Sequence, residues 1–147
     1  MMRTICEEVK DLMPYTAPFL FVDEFQELTE SGAIGTYTYR EDEYFYQGHF
    51  PNNPITPGAI MIETMAQIGL VGLGIFLVGV NQEKAKSDFV FTSADVNFLR
   101  KVLPGETVTV QSEKIYFRFG KLKCKVVMKN AQGEAVCRGE MSGMILS

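Results

Sequence analysis

The sequence predicts an α+β domain in which one curved antiparallel sheet wraps around a long buried helix. A segment that is free of charge over residues 64–80 lies in the middle of the chain. Stretches rich in aromatic and β-branched residues flank it, and short turns containing Gly or Pro join the later stretches. Strands joined by short turns pair antiparallel. Since a flat sheet cannot surround a helix, the sheet has to twist around it.

The composition limits the class of protein. The 147 residues suffice for one core, so we expect a single domain over residues 1–147. A net charge of −4 gives no basic excess for binding nucleic acid. Three cysteines without CxxC spacing indicate reduced thiols and a cytoplasmic protein. With one histidine and scattered cysteines, the sequence contains no metal-ligand cluster. The N-terminal residues carry acids and no long apolar run, so no signal peptide is expected.

The elements before the apolar segment are predicted from spacing and composition. Residues 5–13 carry apolar side chains at helical spacing, which predicts a short amphipathic helix ended by the following proline. Residues 19–28 are dense in aromatic residues and predict a strand. Residues 33–40 predict a second strand, with Tyr37 and Tyr39 on one face because side chains alternate along a strand.

The central helix has a start signal in its sequence. We predict Thr56 as the N-cap residue and Pro57 as the first helical residue, where the missing N–H of proline costs nothing. The N–H groups of Gly58 and Ala59 then have no partner within the helix and face its mouth, which suits a developing negative charge. Because the segment is apolar on all sides, it is either a core helix or a membrane span. Glu63 interrupts its start, so we favour a core helix without a membrane span.

Four strands are predicted after the central helix. A polar loop over residues 81–88 leads to a strand over residues 89–99 that bends near its middle. Turns containing glycine then separate strands over residues 107–119, 121–128 and 134–146.

Residues around the helix start resemble a known family. Residues 48–67, GHFPNNPITPGAIMIETMAQ, are similar to the pattern GHFPxxPxxPGxxxxEAMAQ of the β-hydroxyacyl-acyl carrier protein dehydratases of type II fatty-acid synthesis. The flanking segments APFLFVDE and SADVNFLRKVLPGE also match, so the resemblance covers nearly the whole chain. The sequence departs from the pattern at Tyr15 and Thr16, where the family often has His-Arg, and at Thr64, where Ala is usual.

The resemblance implies a hotdog fold and a 3-hydroxyacyl-[acyl carrier protein] dehydratase that needs no cofactor and no metal. The implied partner is an acyl carrier protein carrying a 3-hydroxyacyl-phosphopantetheine. The resemblance also implies a homodimer, with a trimer of dimers as a further option. In that dimer, His49 of one subunit would face Glu63 of the other.

The chemistry of dehydration requires three groups, and the sequence offers a candidate for each. His49 is the candidate base, since histidine ordinarily titrates near neutrality. Glu63 is the candidate donor to the leaving hydroxyl, because a carboxyl in apolar surroundings keeps its proton more readily. The N–H of Gly58 would meet the thioester oxygen. Each residue also has a structural interpretation: a turn histidine, a helix-end acid and a Pro-Gly turn. Their combination favours the active site.

Further candidates surround these three residues. Gln67 lies one helical turn beyond Glu63, and either orients it or is a polar core residue. Arg100 and Lys101 would face an acidic carrier protein or lie on a solvated face. The candidates for substrate contact are Phe50, Pro57, Ala59, Gln67, Arg100 and Lys101, and the aromatic candidates for an acyl tunnel are Tyr44, Phe45, Tyr46, Phe50 and Phe91.

Two other functions are compatible with the same fold. A non-catalytic hotdog subunit could pair with an active dehydratase, but such a subunit has no need of both His49 and Glu63. Hotdog folds also host acyl thioesterases. A thioesterase requires an acid positioned for attack by water. The GHFP turn favours dehydration. The pathway is either fatty-acid synthesis or a specialised polyene or polyketide route.

Overall fold

The computed structural model describes residues 2–146, which form one sheet around one long helix. All neighbouring strands pair antiparallel, in the order β1-β2-β4-β5-β6-β3. The predicted α+β fold is therefore confirmed. The elements are α1 (Ile5–Asp11), β1 (Glu24–Thr29), β2 (Gly32–Thr38), the central helix α2 (Gly58–Val78), β3 (Phe89–Phe98), β4 (Thr107–Arg118), β5 (Lys121–Lys129) and β6 (Ala135–Ile145), with 3₁₀ turns at Tyr44–Gln47 and Glu83–Lys86.

The central helix α2 lies inside the curve of the sheet. Its middle part packs on β2, β4, β5 and β6, and its last part packs on β1. Ile68, Leu70 and Leu73 are at most 1% exposed. By length and composition α2 could cross a membrane, but 78% of its most apolar window is buried inside the fold. This burial is typical of the core helix of a globular protein.

The central helix α2 changes from α-helical to π-helical geometry in its middle. An α-helical part, Gly58–Ala66, is followed by a π-helical part, Gln67–Gly72, and by a second α-helical part, Leu73–Val78. A Cβ atom on Gly72 would lie 2.3 Å from the Phe25 ring, so glycine allows β1 to approach the helix closely. Single π-helical turns are frequent at functional sites, and this one begins directly after the part that carries Glu63.

The strand predicted over residues 19–28 is wrong in its first half, because β1 begins only at Glu24. The backbone groups of Phe19 and Phe21 are bonded to a helix side chain instead of a strand. Gln67 accepts a hydrogen bond from the N–H of Phe21 at 2.7 Å and donates one to the carbonyl of Phe19 at 3.0 Å. The aromatic side chains of this segment therefore pack beside the helix and not within a strand, and Phe21 is fully buried.

The other sequence predictions agree with the structure to within a few residues. Tyr37 and Tyr39 are both buried on the same face of the sheet, with their rings 5.1 Å apart. The bend predicted in the first strand after the helix is a register shift between Phe91 and Ser93, opposite β6. The predicted polar loop over residues 81–88 contains the 3₁₀ turn Glu83–Lys86.

The two edge strands of the sheet differ in how far other parts of the chain cover them. Strand β1 packs against α1 and the end of α2. Strand β3 exposes apolar residues from both of its faces, including Val90, Phe91 and Phe98, which are 41–50% exposed. An exposed apolar edge strand is a surface suited to association with another chain.

Candidate active site

His49 lies in a turn that fixes the orientation of its ring. Its Nδ1 atom is 3.1 Å from the carbonyl oxygen of Ile55, and the N–H of Ile55 donates to the carbonyl of His49 at 3.0 Å. The ring stacks on Phe50, with 4.5 Å between centroids. Since a carbonyl can only accept, Nδ1 carries the proton of a neutral ring. Nε2 is then left with a free lone pair, as a general base requires.

The start of α2 differs from the prediction. The hydroxyl of Thr56 lies 2.6 Å from the Tyr46 hydroxyl, and the N–H of Thr56 donates to the carbonyl of Val102 at 2.8 Å. Thr56 is buried and does not cap the helix. Pro57 occupies the cap position with ψ 139°, so Gly58 is the first helical residue. The predictions of Thr56 as N-cap and Pro57 as first helical residue are wrong because the Thr56 hydroxyl is bonded to Tyr46.

The amide groups at the helix mouth are free of helical partners, as predicted. The carbonyl of Pro57 accepts from the N–H groups of Ile60 and Met61, at 3.0 and 3.1 Å. The N–H groups of Gly58 and Ala59 precede them and have no acceptor within the helix. Both therefore suit an oxygen that gains negative charge.

Phe98 covers the helix mouth, which the sequence analysis did not predict. A Cβ atom on Gly58 would lie 2.9 Å from the tip of the Phe98 ring. Phe98 ends the edge strand β3 and is half exposed. The signal available in the sequence was an aromatic residue at the end of a strand, and its proximity to Gly58 depends on the sheet wrapping around α2.

Glu63 is half-buried and is held by Gln67. The Gln67 amide nitrogen donates to Glu63 Oε2 at 2.9 Å. With the bonds to Phe19 and Phe21, both amide protons and the amide oxygen of Gln67 have partners. Gln67 is fully buried. Both interpretations of Gln67 therefore hold, because it is a satisfied polar core residue that also orients Glu63.

Two further residues surround the Glu63 side chain. Burial, together with smaller contributions from the negative charges of Glu63 and Asp88, raises the pKa of Tyr15 to about 12. Tyr15 therefore remains a neutral donor beside Glu63. The adjacent Thr64 is fully buried, with its hydroxyl 2.7 Å from the hydroxyl of Tyr39. Of these two departures from the family pattern, Tyr15 lies near Glu63, whereas Thr64 is held in the core.

The remaining candidates lie around the helix mouth and in the core. Arg100 pairs with Glu134 at 3.2 Å on the surface, and Lys101 is exposed next to Val102, whose carbonyl binds the N–H of Thr56. The basic pair therefore lies beside the start of α2. Among the aromatic candidates, Tyr46 is buried behind the His49 turn. Within residues 2–146, no group of three His, Cys, Asp or Glu side chains could hold a metal ion.

His49 and Glu63 are held by different parts of the chain. Across residues 2–146, no hydrogen bond or ion pair joins the two side chains. His49 is held by its own loop, and Glu63 is held by the core. The chain thus presents two separate halves of the predicted catalytic set.

Comparison with known proteins identifies the family. The model of the FabA-like domain matches residues 13–141, a range that contains both halves of the site. This chain belongs to the FabA-like family. The recognition of a dehydratase family from the GHFP turn and the following helix is confirmed.

Curated relatives of this FabA-like chain match it over most of their length. The 3-hydroxyacyl-[acyl-carrier-protein] dehydratase FabZ of Clostridium perfringens is 36% identical over 140 residues, which cover 91% of this chain and 93% of the relative. The enzyme of the same name from Clostridioides difficile is 38% identical over 139 residues, covering 92% of each chain.

Solved structures confirm the hotdog fold. The dehydratase heterocomplex ApeI:P of Xenorhabdus doucetiae matches with a TM-score of 0.79 at 15% identity, over 99% of this chain and 93% of that one. A thioesterase of Haemophilus influenzae matches with a TM-score of 0.68 at 16% identity, over 100% and 93%. Because these identities are low and the two activities differ, the structural likeness bears on the fold alone.

Proposed function

We propose that this chain is a 3-hydroxyacyl-[acyl carrier protein] dehydratase, a hydro-lyase that converts a 3-hydroxyacyl thioester to the trans-2-enoyl thioester and water. The observation that carries the proposal is that the chain holds both a histidine with a free Nε2 atom and a carboxyl group near the start of a buried helix. The curated relatives that align with 91–92% of this chain, at 36–38% identity, are dehydratases of this class. The pathway is fatty-acid biosynthesis.

The proposed reaction uses three groups. Nε2 of His49 removes the proton from C2, and the electron pair of that C–H bond forms the C2–C3 double bond. The C3–O bond breaks as Glu63 donates a proton to the hydroxyl, which leaves as water. The N–H of Gly58 stabilises negative charge on the thioester oxygen, where one donor is worth about 3–4 kcal/mol in a measured hydrolase.

We propose that the active site is shared between two subunits of a homodimer. Within the described part of one chain, no hydrogen bond or ion pair joins His49 to Glu63, and β3 exposes apolar residues along an open edge. A two-fold dimer formed through such an edge would place two equivalent composite sites at its interface. A trimer of dimers is a further assembly of the same unit.

The proposed partner is an acyl carrier protein that delivers the 3-hydroxyacyl-phosphopantetheine group. Arg100 and Lys101 lie beside the helix mouth, where the thioester would enter. A basic rim next to the site would attract an acidic carrier and speed its association. Phe50 and Ala59 are exposed at the same mouth and complete the proposed contacts with the pantetheine arm.

We propose a cytoplasmic protein whose residues 1–147 make one hotdog domain. One contiguous core joins α1, the central helix and the sheet, which supports a single domain. The burial of α2 supports a water-soluble fold. The three cysteines are free thiols, which suits a reducing compartment.

The test is an assay of the purified chain with 3-hydroxyacyl carrier-protein substrates, without added metal or cofactor. We expect enoyl product to form and activity to persist in EDTA. A folded chain that forms no enoyl product at any acyl length would contradict the proposal. Release of free carrier thiol in place of enoyl product would instead identify a thioesterase.

A further inference from the structure

A pair of buried hydroxyl groups closes the loop that carries His49. Tyr46 lies three residues before His49, and Thr56 lies seven residues after it. Tyr46 is 6% exposed and Thr56 is 4% exposed, and their hydroxyl oxygens are 2.6 Å apart. Because burial raises the pKa of Tyr46 to about 12, its hydroxyl stays neutral at physiological pH. The proposed reaction uses neither hydroxyl directly.

The peptide group between Ile55 and Thr56 links this pair to the His49 ring. The carbonyl oxygen of Ile55 is 3.1 Å from His49 Nδ1, and the N–H of Thr56 donates to the carbonyl of Val102 at 2.8 Å. The two groups belong to one plane, since a peptide bond is planar. A rotation of this plane would therefore move the acceptor away from Nδ1. The bond to Val102 also polarises the peptide group, which makes the Ile55 carbonyl a stronger acceptor.

The Tyr46 end of the pair is fixed by the turn that precedes it. The N–H of Tyr46 donates to the carbonyl of Glu43 at 3.2 Å, and Glu43 is buried. The carboxyl group of Glu43 accepts in turn from the hydroxyl of Tyr37 and from the N–H of Arg40. Tyr46 therefore offers Thr56 a partner whose own backbone is held in place.

The tautomer of His49 depends on the Ile55 carbonyl. A neutral histidine carries its proton on either ring nitrogen, and the hydrogen bond made by one nitrogen decides which. With the carbonyl in position, the proton is on Nδ1 and the lone pair of Nε2 is free. If the carbonyl turns away, the proton can move to Nε2, and that tautomer cannot remove a proton through Nε2.

We propose that Tyr46 and Thr56 are positioning residues, whose hydrogen bond holds the Ile55–Thr56 peptide in the orientation that keeps His49 in its basic tautomer. Both hydroxyls are buried and bonded to each other, so they act on the reaction through His49. The inference rests on the proposed dehydratase function, but the tautomer can be measured without a substrate.

The experiment compares Tyr46→Phe and Thr56→Val with the native chain, all produced without a histidine tag. Because His49 is the only histidine, its ring nitrogens give unambiguous signals in nitrogen NMR. At about pH 8, where histidine is ordinarily neutral, the native ring should hold its proton on Nδ1, and both variants should populate the Nε2–H form. In the enoyl assay, kcat should fall about tenfold with KM little changed, which is part of the 10²–10⁴ that a general base supplies.

The matched control is Tyr39→Phe, which removes the same atom from a similar pair. Tyr39 is fully buried, and its hydroxyl lies 2.7 Å from the hydroxyl of Thr64. We expect this variant to lower the free energy of unfolding by a similar amount and to keep the native His49 tautomer. The conservative variant Thr56→Ser retains a hydroxyl and should also keep the native tautomer.

The double variant Tyr46→Phe/Thr56→Val separates positioning from stability, and it decides the test if a single variant does not fold. Removal of both partners leaves no hydroxyl of this pair unpaired, so stability should recover relative to the single variants, whereas kcat and the tautomer should not. A native tautomer in the variants, or a kcat that recovers together with stability, would overturn the inference and leave the dehydratase proposal intact. A native chain that forms no enoyl product would contradict the dehydratase proposal, and the tautomer would still test the positioning of His49.

Discussion

The two halves of the predicted site are held by different kinds of contact. His49 is oriented within its own turn, through the carbonyl of Ile55 and the ring of Phe50. Glu63 is oriented through Gln67, which is also bonded to Phe19 and Phe21, more than 40 residues earlier in the chain. The base is thus positioned locally, whereas the acid is tied to the core. Substitutions in the His49 turn should therefore lower activity with little effect on the free energy of unfolding. Substitutions that disturb the support of Glu63 should lower both.

The largest expected effect is the loss of either reacting group. His49→Ala and Glu63→Gln should each lower kcat by about 10²–10⁴, the range for a general acid or base. Thermal unfolding, followed alongside the rate, should change little for His49→Ala because its contacts are local. A His49→Ala variant that retains native kcat would exclude this residue as the base.

A substitution at Gln67 should lower both activity and stability. Gln67→Leu leaves the N–H of Phe21 and the carbonyl of Phe19 buried without partners, which costs about 2–4 kcal/mol. We expect kcat to fall about tenfold as Glu63 loses its donor, and urea unfolding should shift accordingly.

The control for Gln67 comes from the other region. Phe50→Ala removes a ring that is 53% exposed, so its effect on the free energy of unfolding should stay within about 1 kcal/mol. Equal stability losses in Gln67→Leu and Phe50→Ala would contradict the distinction between a local and a core-tied half.

A smaller effect is expected at the helix mouth. Gly58→Ala places a Cβ atom against the Phe98 ring, and we expect kcat to fall severalfold as the two move apart. In the background of Phe98→Ala the same substitution should cost less, because the ring is absent. A loss that is unchanged in that background would show that contact with Phe98 is not the cause.

The smallest expected effect is a loss of stability at alkaline pH that arises from a buried core thiol. The pKa of the Cys124 thiol is raised by burial from 9.0 to about 12, so above pH 9 the unfolded chain releases this proton first. The free energy of unfolding should therefore fall by about 1 kcal/mol between about pH 9 and pH 10. Urea unfolding should show a shallower fall for Cys124→Ala. An identical pH profile for native and variant chains would contradict this origin.

The sequence predicted the fold because its signals are local. Apolar spacing, strand composition and glycine turns identified α2 and most strands, and the GHFP turn with Glu63 identified the candidate site. The errors have long-range causes. Residues 19–23 have strand composition, but Gln67 binds the backbone of Phe19 and Phe21. Thr56 has the side chain of a cap, but its hydroxyl is bonded to Tyr46. The approach of Phe98 to Gly58 likewise depends on how the sheet wraps.

The central claim is that His49 and Glu63 act together across two subunits. The direct test is to unfold His49→Ala and Glu63→Gln together and refold the mixture. Random pairing makes about half of the dimers mixed, and each mixed dimer keeps one intact site of two, so about a quarter of native activity should return. Each variant refolded alone should stay inactive. A mixture that stays inactive while native mass spectrometry confirms mixed dimers would contradict the shared site.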